Sequence, residues 1–497
     1  MGKADQASWV RQIYKLLEQA KAKDSGQEVF GADSHKYRLA PPAGEEALQA
    51  FELKYGIRLP EEYRNFLVLA GDGGAGPYYG IYGLGALEQE LKSDQNYHLL
   101  AEPELYPKMS DEDWDNAAKG QPFAGILPIG SQGCTLMTGL MLRGPYSGQV
   151  VYFDLDCCSK PFFVRENGFL AWYMRWLREV ISGYKIFWFG MNLDGNEQQL
   201  MEQYQQTDSP EEKAEIINSF RKFERLPKKQ QQFFKAACDE ESNMEIRMRL
   251  VKLLVHFHVE GMAGQIEKLW EYGAYAEAIS VINYEGDWEI KKKWKEPILE
   301  KLPQLRGNAL RDACYTIKAL KDCPDINAGR LKEALIQKDL DRNDKTVLFY
   351  CIKALSGKEA VVDYFLDFLP SEQDTYLLIY AIQALEGVSD RRLQSIYVKL
   401  LERYRTHENA QKDYEGSQKV LPGGSCLGAS RPEGQVVSNL MRRFDLFGLD
   451  YRGAWKMLMD DQRWEEWKRD AIFGLHPAAE RFVPAGAGVL LSVLCGK

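Results

Sequence analysis

The chain has 497 residues, enough for about two to four domains of ordinary size. With 45% apolar and 27% charged residues it has the composition of a folded protein, not of a disordered one. A formal charge of −9 argues against general nucleic-acid binding, which calls for a basic face or stripe.

The nine cysteines include no CxxC pair, although Cys157 and Cys158 are adjacent; this usage fits reduced thiols in the cytoplasm. Residues 1–10 are polar, so no export leader is expected. Gln6 stands where a myristoylation signal needs Ser or Thr. The apolar stretch 482–495 is broken by Pro484, Gly486 and Gly488 and is too short for a membrane span. A cytoplasmic protein that binds no membrane is expected.

In chain order, residues 5–22 read as an amphipathic helix with Trp9, Ile13, Leu16, Leu17 and Ala20 on its apolar stripe. After a polar loop at 24–37, Leu48, Phe51 and Tyr55 share one helical face, with Gly56 placed to end that helix. A second short helix carries Tyr63, Phe66, Leu67 and Ala70, with Pro60, Glu61 and Glu62 at its start. Gly71 opens a glycine-rich loop through Pro77, followed closely by Tyr78, Tyr79 and Tyr82.

Residues 88–115 hold nine acidic residues and two lysines. They form either a solvated loop, with a helix starting at Ser110, or a recognition surface. From 126 to 164 the pattern changes to period two: Leu136, Leu140 and Leu142 alternate with Met137 and Met141, and Val150 and Tyr152 with Val151 and Phe153. A turn at 143–148, a further strand at 161–164 and an aromatic helix at 168–181 complete an α+β layer domain.

Residues 191–208 are polar and Gln-rich, and read as a linker or a solvated helix. Ser209, Pro210 and Glu212 make a helix start, and helical signals then continue to about Arg405. Short apolar motifs recur at Val251, Ile279, Ile317, Ile352 and Ile382, spaced by 28 to 38 residues. That spacing suits an α-solenoid of helix pairs similar to HEAT-type repeats, or an irregular helical bundle. Residues 412–434 read as a loop, and 436–459 and 462–473 as helices with Trp455, Trp464 and Trp467. The expected division is 1–190 (α+β), 191–208 (linker), 209–410 (all-α repeats) and 411–497 (a loop and a C-terminal helical segment).

The order of these pieces resembles the SUKH superfamily, the Smi/Knr-like proteins, over about residues 30–182. The resemblance rests on Phe51-Glu52, Leu59-Pro60, Tyr63, Phe66 and the loop Asp72-Gly73-Gly74. It continues through Ile126-Leu127-Pro128-Ile129-Gly130, the strand ending in Asp154-Leu155-Asp156, and the helix after Gly168-Phe169. Asp72 replaces the family's usual Asn, and the segment between Leu84 and Gly125 is long. The resemblance implies a bacterial immunity protein that neutralises a polymorphic toxin, such as a nuclease or a deaminase, by binding it. The alternative it implies is a regulatory scaffold with several protein partners.

The residues themselves offer no catalytic set. His256, His258 and Glu260 lie on helical sequence, where only His256 and Glu260 share a face, too few for zinc. The glycine loop lacks the Lys and Ser/Thr of a P-loop. No enzyme activity, cofactor or metal is therefore expected, and the oligomeric state is left open. The expected partner is a basic toxin domain, without direct nucleic-acid contact. It would be met by Asp72, Tyr78, Tyr79 and Tyr82, by Glu102, Glu104, Asp111 and Asp113 of the insert, and by Asp154 and Asp156 at the strand end. One or two of the tyrosines are expected in the core, Tyr82 among them.

Overall fold

The structure is a computed structural model that describes residues 3–93, 97–405 and 432–473. Period two becomes a four-stranded antiparallel sheet in sequential order: β1 (Ile126–Gly133), β2 (Leu136–Met141), β3 (Val150–Asp154) and β4 (Phe162–Phe163). Register is set by pairs such as Leu127 with Leu140, Met137 with Phe153 and Val151 with Phe163. Successive side chains point to opposite faces, and here both faces are buried.

On one face Leu127, Ile129, Leu140, Val150 and Tyr152 meet helices. These are α1 (Lys3–Lys23), α2 (Ala32–His35), α3 (Glu45–Tyr55), α4 (Glu61–Asn65), α5 (Leu84–Ser93) and, beyond the sheet, α7 (Phe169–Ser182). α3 ends at Gly56 in the left-handed conformation, φ 65°. α4 runs into a π-helical turn at Phe66–Ala70, which keeps Phe66, Leu67 and Ala70 on the core side. Two of the buried rings have matched polar tips: Trp172 Nε1 donates to Tyr152 Oη (2.9 Å) and Tyr173 Oη to the Ala75 carbonyl (2.8 Å).

On the other face Ile126, Met137, Met141, Val151, Phe153 and Phe163 meet Leu105, Met109, Trp114, Ala117 and Phe123. Those five come from the acidic insert and the turn after it. Ser110 caps α6 (Asp111–Ala117), its Oγ accepting from the Asp113 amide at 3.0 Å. The solvated loop considered from the sequence is therefore a folded cover, with its carboxylates outside.

The chain divides into two compact units, with the boundary at Val259. The Gln-rich stretch is largely α8 (Glu197–Gln206), with Leu200, Met201 and Tyr204 buried and an Asn196–Gln199 capping box. It is followed by α9 (Pro210–Ser219), α10 (Lys228–Glu240) and α11 (Met244–His256). A buried charge network ties this extension to α7. Arg175 pairs with Glu166 and Glu179 (3.0 Å), and donates to the Asn192 carbonyl (2.5 Å). Lys222 bonds Glu179 (3.3 Å) and the Leu193 carbonyl (2.6 Å). Burial pulls the Lys222 amine below its ordinary pKa, against the pull of Glu179. Charges this deep stay ionised only when paired in this way.

In the second unit, α13 (Tyr275–Glu285), α15 (Gly307–Ala319), α17 (Arg342–Ala354) and α19 (Thr375–Ala384) lie side by side. Their recurring residues Ile279, Ile317, Ile352 and Ile382 are fully buried. Between and around them run α12 (Ala263–Glu271), α14 (Trp288–Lys301), α16 (Lys332–Leu335), α18 (Val362–Ser371) and α20 (Arg391–Tyr404). The helix expected at 436–459 is two: α21 (Pro432–Arg443) and α22 (Tyr451–Leu458), followed by α23 (Asp461–Phe473). The break falls at Gly448, φ 75°, with Asp450 capping the next helix. Nearly all of the loop expected at 412–434, and the tail after 473, lie outside the described residues. No described helix is long and apolar enough to cross a membrane.

Candidate partner-binding surface

The glycine loop is stitched into the fold by its backbone. Gly74 exchanges hydrogen bonds with Ile81 (2.9 and 2.8 Å), Ala75 donates to Arg38 (2.8 Å) and Tyr82 to Ile129 of β1 (2.8 Å). The packing is close enough that a Cβ at Gly80 would sit 2.3 Å from the Gly74 carbonyl oxygen, and one at Gly130 2.5 Å from that of Gly80. Glycine is required here for backbone approach, not to cradle a ligand.

The loop's polar groups turn inward, onto partners within the fold. Asp72 Oδ1 accepts from the Leu84 amide at 2.8 Å, the first amide of α5, so this carboxylate caps a helix. Tyr78 is buried, its hydroxyl donating to the Phe189 carbonyl at 3.0 Å, and burial raises its pKa. It holds a left-handed φ of 55°, rare for a bulky residue. Tyr82 is half-buried, with its hydroxyl pushed up to about 12 by burial and by Glu90. Asp154 is buried and accepts from the Asp156 amide at 3.1 Å; Asp156 is exposed. A buried Asp154 and Tyr78 have no surface to offer a partner.

Tyr79 is the exception, 44% exposed. The left-handed turn at Tyr78 reverses the chain's facing, so Tyr78 goes in and Tyr79 out. Tyr79 stands edge-on to Phe30 (5.3 Å between ring centres), Phe30 to Phe187 (5.5 Å) and Phe187 to Trp188 (5.0 Å). Phe30 is 39% exposed, Phe187 55% and Trp188 57%. Four neighbouring exposed aromatics form a patch that folding alone does not call for. Sequence reasoning missed Phe30, Phe187 and Trp188. The run Phe187-Trp188-Phe189 was a signal, but only the fold shows that Phe189 alone is buried.

The four carboxylates singled out in the insert are on the surface. Glu102 pairs with Arg143 (3.5 Å) and Asp111 with Lys160 (2.6 Å), while Glu104 is exposed. Asp113 accepts from Ser110 Oγ (2.6 Å) and Tyr106 Oη (2.5 Å); these bonds, Ser110 first, hold its carboxyl below the usual range. Among the described residues no three His, Cys, Asp or Glu side chains gather as a metal ion would require.

Residues 42–173 match the sequence model of the SMI1 / KNR4 family (SUKH-1). The matched stretch holds the glycine loop, the insert and the whole sheet. No curated protein and no solved structure matches the chain.

Proposed function

We propose that this is a protein-binding immunity protein, whose SUKH-like domain neutralises a toxin through the Phe30–Tyr79–Phe187–Trp188 patch. The patch carries the reading: rigid aromatic rings give large contact area at little entropic cost, and such residues dominate interface energetics. The similarity of residues 42–173 to the SMI1 / KNR4 family (SUKH-1) supports a binding role over catalysis. The exposed carboxylates Glu102, Glu104, Asp111 and Asp113 act at longer range. They speed encounter with a basic surface, the kind that a nuclease or deaminase presents to nucleic acid.

Rescue of growth tests the reading. The toxin domain encoded beside this chain's gene should arrest a heterologous host, and co-expression of this chain should restore growth. A Phe187→Ala/Trp188→Ala variant with unchanged melting temperature should lose most of that rescue. Full rescue by this variant would remove the patch from the interface. No rescue by the unaltered chain would remove the immunity role.

A further inference from the structure

The helical unit carries a second, periodic surface. Tyr315, Tyr350 and Tyr380 occupy one position of the recurrence, two residues before Ile317, Ile352 and Ile382. They sit on adjacent helices α15, α17 and α19, and Tyr315 and Tyr350 are 40% and 37% exposed. The position after each isoleucine is polar as well: Lys318, Lys353 and Gln383. Lys318 donates to Tyr350 Oη at 2.5 Å and lies 4.0 Å from the centre of that ring. Lys353 donates to Gln383 Oε1 at 3.3 Å. Tyr315 meets the ring of Tyr350 edge-on at 6.2 Å.

The lysines differ from other cations that bridge neighbouring helices of this unit. Arg306 ends on Asp339 (2.5 Å), Arg330 on Glu296 (2.6 Å) and Arg342 on Asp374 (2.7 Å). Lys318 and Lys353 make the same kind of bridge, but onto a phenol and an amide, so their charge is left without a carboxylate. On α13 the position that carries tyrosine in the later helices is Glu277, which bounds the ladder at that end. Two equivalent cations set among tyrosines, one helix apart, call for anions at matching spacing.

We propose that the face formed by α15, α17 and α19 binds an extended acidic peptide segment with a carboxylate at every third residue. Neighbouring packed helices lie about 8–10 Å apart. A polyproline II chain rises about 3.1 Å per residue and returns to the same face every third residue, about 9 Å on. Acids at that spacing meet Lys318 and Lys353 in step, and prolines between them lie against Tyr315, Tyr350 and Tyr380, as aromatic grooves receive proline-rich segments. An ordinary strand, which repeats its face every second residue at about 6.6–6.8 Å, falls out of step.

Fluorescence anisotropy of the full chain at low salt tests this, with labelled Pro-Pro-Glu repeats as the probe. The expected result is saturable binding, about ten-fold or more weaker for Pro-Glu repeats and lost for Pro-Pro-Lys repeats. Lys318→Gln/Lys353→Gln should weaken binding about ten-fold or more and flatten its salt dependence, with the melting temperature unchanged. Tyr350→Phe, which keeps the ring, should retain most of the affinity, and Tyr350→Ala should not. Equal affinity for the two glutamate spacings, wild-type binding by the double lysine variant, no binding of Pro-Pro-Glu repeats, or tighter binding of an oligothymidylate would each overturn the proposal.

Discussion

The glycine loop and the acidic insert look alike in the sequence, as polar stretches with surface chemistry, and the fold treats them in opposite ways. The loop turns its carboxylate and most of its phenols inward: Asp72 onto an amide of α5, Tyr78 onto the Phe189 carbonyl. The insert turns its apolar residues inward, Leu105, Met109 and Trp114 against β2 and β3, and leaves its acids out. The difference lies in what each segment can reach. The loop is surrounded by backbone amides and carbonyls that need partners when buried. The insert crosses an apolar sheet face that offers nothing polar. Surface chemistry therefore belongs to the insert and to the one loop side chain, Tyr79, that the turn at Tyr78 expels.

The largest expected effect is on the insert. Trp114 is 6% exposed, and Trp114→Ala should lower stability by about 3–5 kcal/mol in urea unfolding. A loss below about 1 kcal/mol would mean that the cover is not packed on the sheet. The loop side should show a pH dependence between about pH 6.5 and 4. Burial holds His35, whose Nδ1 accepts from the Tyr37 amide at 3.0 Å, down at about 4. The unfolded chain, with an ordinary value near 6.5, takes up a proton that the folded chain refuses. Stability from this group is thus complete above pH 6.5 and is lost as pH falls towards 4, by about 3 kcal/mol. A His35→Gln variant should flatten that window in denaturant titrations at stepped pH.

Smaller effects separate the two regions' carboxylates. Asp72→Ala removes a helix cap and should cost about 0.5–2 kcal/mol. Charge reversal of Glu102 and Glu104 should leave stability within about 0.5 kcal/mol. It should, however, slow association with a basic partner about ten-fold at low salt, in stopped-flow mixing. If reversal changed stability as much as Asp72→Ala did, the contrast between a structural and a surface carboxylate would fail.

Much of this was legible in the sequence because local chemistry decides it. The caps at Ser110 and Ser209, the stop at Gly56, the period-two strands and the recurrence at Ile317, Ile352 and Ile382 all appear where the residues place them. What was not legible depends on long-range partners. The alternation of leucine with methionine in β2 marks two buried faces, but nothing local says that the insert covers the second. Three tyrosines in five positions differ in fate: Tyr78 is buried, Tyr79 exposed and Tyr82 half-buried. The stretch 191–208 looked like a linker because its buried side is only Leu200, Met201 and Tyr204, and because its tether, Arg175 to Asn192 and Lys222 to Leu193, is built from residues outside it or from backbone.

The SUKH-like domain is proposed to meet its partner at the aromatic patch, with the insert as an electrostatic guide. Hydrogen–deuterium exchange of the full chain, with and without the toxin domain proposed as its partner, reads this directly. Slowed exchange is expected at the amides around Phe30, Tyr79 and Phe187–Trp188, with weaker protection in the insert. Protection confined to residues beyond 260, with the patch unchanged, would contradict it.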